Sequence, residues 1–135
     1  MESQVHIDLV KKIYEYACES IAEDNRCLIE TDSSGNNSTV HVINNFVPDL
    51  FYSFEKTLII GEAKTELDFE RKHSCEQFDA YIKECNLFGE NAMLIIGVPW
   101  QLCATAKNYF RRKKNIGEII FSVIIIDELG RSFTI

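Results

Sequence analysis

Residues 58–69, Leu-Ile-Ile-Gly-Glu-Ala-Lys-Thr-Glu-Leu-Asp-Phe, decide how this chain is read. The first three are apolar, and with Thr57 they have the length and β-branched content of a strand buried between two layers. Such a strand has no packing reason to end in Glu62 and Lys64. Side chains two residues apart share a face of a strand, so this carboxylate and this ammonium point the same way. Two charges on the covered face of a buried strand imply that something is held there.

Upstream, Pro48 introduces Asp-Leu-Phe-Tyr-Ser-Phe (49–54), a second strand, and Glu55-Lys56 is a tight reversal. The two strands therefore pair as an antiparallel hairpin. Asp49 opens one arm where Glu62 and Lys64 close the other, so the three converge at one sheet end. Farther upstream, Thr-Val-His-Val-Ile-Asn-Asn-Phe (39–46) alternates as a half-buried strand, with His41 an ordinary strand residue. Ser-Ser-Gly-Asn-Asn-Ser (33–38) has loop chemistry and 26–32 is a short strand. Residues 5–23 carry Leu9, Val10, Ile13 and Ala17 at helical spacing.

Downstream, 70–86 is a helix with Cys75, Phe78, Ile82 and Cys85 as its apolar stripe. Residues 91–100 form a continuous apolar run, a central strand covered on both faces. A second amphipathic helix follows over 101–114, then a last long strand over 117–128. The order is one helix, three or four strands in a meander, then α-β-α-β. This is a single α/β domain over 1–135 with a mixed sheet flanked by helices, antiparallel early and parallel where helices cross over.

The 135 residues suffice for one domain, and 46% hydrophobic with 26% charged is a globular balance. No apolar run reaches membrane-spanning length and the N-terminus lacks a signal pattern, which points to the cytoplasm and to no membrane partner. Cys18, Cys27, Cys75, Cys85 and Cys103 form no C-x-x-C pair and read as reduced thiols. The net charge of −7 speaks against a free-standing nucleic-acid binder. It is uneven: residues 1–90 hold 8 basic and 18 acidic side chains, and 91–135 hold 6 and 3.

Two adjacent carboxylates repel unless a proton or a cation lies between them. Oxygen donors suit Mg²⁺ or Mn²⁺, and the backbone carbonyl of Ala63 could add a ligand to Asp49 and Glu62. Lys64 beside such a site could orient water or neutralise a phosphate in displacement. Gln77 and Tyr81, four apart on the next helix, share a face near the same end, with His73 and Ser74 close to that ridge.

Pro48-Asp49 followed by Glu62-Ala63-Lys64 resembles the signature of the PD-(D/E)xK nucleases, and Gln77-x-x-x-Tyr81 is similar to the Q-x-x-x-Y extension of one branch. That branch includes exonuclease domains of recombination helicases and CRISPR-adaptation nucleases. The resemblance implies a restriction-endonuclease-like core (α-β-β-β-α-β), here with an added helix and strand. It also implies a metal-dependent deoxyribonuclease in which Asp49 and Glu62 bind Mg²⁺ or Mn²⁺. Lys64 would then serve the attacking water, and Gln77 and Tyr81 would position metal, water or phosphate. The cluster-binding cysteines of some branch members have no counterpart. Many relatives place a glutamate on the first helix; here Glu2 and His6 line up with its apolar stripe, Glu15 points away, Glu19 is marginal, and no ligand is assigned.

The same residues admit plainer roles. Asp49 alone is an acceptable strand opener after proline, Glu62 and Lys64 an ion pair, and Gln77 and Tyr81 a solvated helix face. Arg111-Arg112-Lys113-Lys114 fits a helix-dipole cap or a phosphate contact. Trp100 caps its strand or stacks a base. For the whole chain the rival is a non-catalytic module of this fold that works with a DNA-binding partner protein. RNA cleavage by the same site also stays open, as does a homodimer pairing two sites for two strands.

Overall fold

A computed structural model describes residues 3–31, 41–66 and 72–135, with the Lys72 side chain excepted. Helix α1 (Gln4–Ser20) leads through a 3₁₀ turn (Glu23–Leu28) to a two-residue strand β1 (Glu30–Thr31). Then come β2 (Leu50–Phe54), β3 (Thr57–Ala63), α2 (Lys72–Phe88) and β4 (Ala92–Gly97). A short 3₁₀ turn (Trp100–Leu102), α3 (Cys103–Asn115), β5 (Ser122–Ile126) and β6 (Ser132–Thr134) complete the order. The strands form one open sheet in the order β1-β2-β3-β4-β5-β6. β1, β2 and β3 are antiparallel neighbours, β3-β4 and β4-β5 are parallel, and β6 returns antiparallel to β5. The mixed sheet expected from the sequence is therefore present.

Parallel strands laid down successively in one direction place their crossover helices on one face. Phe78, Tyr81, Ile82 and Cys85 of α2 and Cys103, Ala106, Tyr109 and Phe110 of α3 accordingly share one core with Leu58, Ile60, Leu94, Ile96, Val123 and Ile125. The opposite face is covered by α1, whose Leu9, Ile13 and Ala17 pack on Leu50, Tyr52, Ile59, Ala63, Ile95 and Ile124. Two glycines let that helix in. A Cβ on Gly61 would lie 2.6 Å from Ile13 Cγ2, and one on Gly97 would lie 2.9 Å from Ile13 Cδ1. The missing side chains are the seat of Ile13, and they set how closely α1 approaches the end of β3.

Several local expectations are corrected. Residues 41–46 are not a strand. Asn44 and Asn45 have φ of 48° and 69°, and Ile43 and Phe46 exchange backbone hydrogen bonds of 2.8 and 2.9 Å around them. Paired asparagines tolerate this left-handed turn, and the alternation of the segment was coincidental. His41 is thus not a strand residue; it stacks on Phe51 with ring centroids 4.3 Å apart. The loop at 33–38, and 39–40 of the expected strand, lie outside the described residues. Among the described residues of 26–32, only Glu30 and Thr31 pair. Arg26 turns back to donate to the Cys18 carbonyl at 2.9 Å, satisfying the end of α1 in place of a ladder.

The last strand is shorter than 117–128. At its start Asn86 occupies the backbone, donating to the Glu118 carbonyl at 2.7 Å and accepting the Ile120 amide at 3.3 Å. At its end buried Asp127 accepts the Leu129 and Arg131 amides at 2.9 and 3.0 Å and the Arg131 Nε at 2.7 Å. That side-chain-directed turn reverses the chain into β6, a strand not anticipated. Among the described residues no helix is long and apolar enough to cross a membrane.

Candidate metal centre

The hairpin register pairs Leu50 with Gly61, which sets Asp49 across from Glu62. Leu50, Gly61 and Ala63 face α1, so by alternation Glu62 faces α2. It is met there by the residues four apart on that helix. Tyr81 donates its hydroxyl to Glu62 Oε1 at 2.7 Å, and Gln77 Nε2 donates to the same oxygen at 2.7 Å. Lys64 Nζ donates to Gln77 Oε1. One amide side chain thus joins the lysine to the carboxyl, which is possible only because Glu62 and Lys64 share a face. Asp49 Oδ2 accepts the Ala63 amide at 2.8 Å.

All five residues chosen from the sequence therefore meet. Asp49, Glu62 and Gln77 are buried polar groups and Tyr81 has no exposure, so a solvated helix face and an exposed ion pair are both excluded. Ala63 enters through its N–H. His73 packs edge-on against Phe46 instead, and Ser74 is buried.

The residue left unassigned was His6. Its Nε2 lies 3.3 Å from Asp49 Oδ2, and one ligand atom each from His6, Asp49 and Glu62 lie within 4.8 Å of one another. The signal was its position three residues before Leu9 on the apolar stripe. Which sheet end that stripe reaches depends on how α1 lies across the sheet. Glu2 lies outside the described residues, and Glu15 pairs with Lys12 on the exposed side.

The electrostatics follow from burial. Glu62 is held well above the usual carboxyl range, first by desolvation and then by the Asp49 carboxylate beside it, against the opposing pull of Tyr81 and Lys64. Asp49 is held below its ordinary value. Burial pushes it up, but hydrogen bonds from His6, Glu62 and the Ala63 amide outweigh that. The two carboxyls are thus pushed apart, Glu62 toward its neutral form and Asp49 toward its charged one. Tyr81 is raised far enough by burial and by Glu62 to remain a hydroxyl donor. Two buried carboxyls facing one another offer a place for a cation, and two oxygens with one imidazole nitrogen suit Mn²⁺, while Mg²⁺ would draw on the oxygens. The residues present fit a divalent ion.

No protein-family model matches the chain, and no curated protein and no solved structure matches it significantly.

Proposed function

We propose that this protein is a metal-dependent deoxyribonuclease of the PD-(D/E)xK type, with a restriction-endonuclease-like core formed by α1, β1–β3, α2 and β4. The observation that carries the reading is the link from Lys64 through Gln77 to Glu62, with Asp49 opposite. A carboxylate pair alone is common. A buried pair whose second member is tied through one amide to a lysine on the same strand face suits displacement at a phosphate.

In this reading Asp49, Glu62 and His6 hold the cation, Mg²⁺ or Mn²⁺. When bound, it supplies charge neutralisation at the scissile phosphate and makes water a better nucleophile. Lys64 directs its ammonium to the reacting centre, stabilising the charge that develops there. Gln77 keeps Lys64 in place from the other side, and Tyr81 fixes the orientation of Glu62, as outer hydrogen bonds do around metal ligands. Burial raises the Glu62 carboxyl, so metal binding there would compete with protons and weaken as pH falls.

The test uses linear and circular DNA with Mg²⁺, Mn²⁺ or EDTA, beside a Lys64→Ala variant. Cleavage that requires metal and vanishes in the variant is the expected result. Equal background in both proteins would replace the enzyme with a non-catalytic module of the same fold.

A further inference from the structure

The basic run 111–114 divides once the chain is folded. Lys113 bridges Asp79 at 3.4 Å and Glu118 at 3.3 Å, and Lys114 donates to the Ile135 carbonyl at 2.8 Å. Those two lysines tie the end of α3 to α2 and to the last residue. The side chains of Arg111 and Arg112 are exposed and, among the described residues, have no ion-pair or hydrogen-bond partner. Arg111 also precedes the last turn of the helix, where the negative end of the dipole would favour a cation. Neither packing nor capping accounts for it.

The two arginines line a shallow groove of about 550 Å³ together with Thr105, Asn108 and Asn115. Spacings of three, four and seven make this one stripe along the outer side of α3. Every lining side chain donates hydrogen bonds and none is a carboxylate. The groove belongs to the net-positive C-terminal third of a chain with charge −7. Glu118 and Asp79, the acidic side chains tied to the end of α3, share Lys113 between them. Acidic side chains farther off than about 8 Å are screened at physiological salt.

We infer that this stripe is a docking site for the phosphodiester backbone of a nucleic acid, separate from the carboxylate centre. The guanidinium forks take phosphate oxygens in pairs, and the hydroxyl and amides add neutral donors along the strand. Such contacts position a nucleic acid without reading its sequence. They also resolve how so acidic a chain could hold a polyanion: binding is local to one helix face. This site does not require that the carboxylate centre turns over.

The experiment measures binding of labelled duplex DNA and, in parallel, duplex RNA in EDTA, so that cleavage plays no part. Wild type is compared with Arg111→Gln/Arg112→Gln and with Lys11→Gln/Lys56→Gln, which changes net charge equally on exposed residues elsewhere. With two fewer phosphates neutralised, the salt dependence should flatten, so that the advantage of wild type over the arginine variant shrinks about tenfold between roughly 50 and 200 mM salt. The lysine variant should keep the wild-type slope. Equal flattening in both variants would reduce the effect to net charge and overturn the site, as would no change in either. Loss of binding to anionic phospholipid vesicles with duplex binding intact would overturn it in favour of a membrane surface. Circular dichroism verifies that the variants are folded. A protein that fails to cleave but shows the arginine-dependent slope loses the catalytic reading and keeps this one.

Discussion

At the scale of single residues, the two carboxyls of the centre respond to pH in opposite senses. Glu62 has a raised carboxyl, so the folded state binds its proton more tightly than the unfolded chain does. That favours folding at acid pH and is lost progressively as pH climbs above the unfolded carboxyl value toward the folded one. Asp49 behaves oppositely, stabilising above its unfolded value and losing that contribution as pH falls through its depressed one. Glu62→Gln keeps a donor for Asp49 and an acceptor for Tyr81 without a titrating group. Metal-free Glu62→Gln should therefore melt above wild type at pH 8, and the gap should close near pH 4. A constant gap across that range would refute the raised carboxyl. In the proposed site His6 would contribute the nitrogen donor, so His6→Ala should weaken Mn²⁺ by roughly tenfold and Mg²⁺ by less. Calorimetric titration of both ions decides this. Gln77→Ala releases Lys64 and bares a buried carboxyl, and should lower activity by about 10–100-fold at saturating metal.

At the scale of elements, α1 brings His6 to the sheet end, and its approach is set at Gly61. Gly61→Ala forces a methyl into Ile13, 2.6 Å away, and should cost about 1–3 kcal/mol while weakening metal binding through the displaced helix. Ile13→Ala empties that space. The double variant should lose less stability than the two single losses added together, measured by urea unfolding. Strict additivity would mean that α1 does not press on Gly61. The hairpin was legible from Pro48, the Glu55-Lys56 reversal and the apolar run of residues 58–60, all of them local signals. β6 was not, because it depends on Asp127 accepting two amides within four residues. An aspartate after an isoleucine run gives no sign of that turn until its burial is known. The Asn44-Asn45 turn was masked for a related reason: alternation over a few residues has the same appearance in an extended strand and around a two-residue reversal.

At the scale of the molecule, the proposed metal would be linked to fold stability. An ion that binds only the folded state at a hundred times its dissociation constant adds about 2.7 kcal/mol, which for a chain of this size is a melting rise of roughly 10 °C. Differential scanning fluorimetry with Mn²⁺ should show such a rise for wild type and none for Asp49→Asn/Glu62→Gln. An equal rise in both would place the ion elsewhere.

The sequence alone determined the α/β class, the β2-β3 hairpin and five side chains of the candidate centre. Each depends on a relation that backbone geometry imposes over short spans: two residues along a strand, four along a helix, or opposite ends of a tight hairpin. Only the tertiary structure decided that His6 joins them, that α1 crosses Gly61 and Gly97, and that, among the described residues, Arg111 and Arg112 stay unengaged while Lys113 and Lys114 are bound. Those facts depend on contacts between layers, where distance along the chain carries no information and packing alone selects the neighbours.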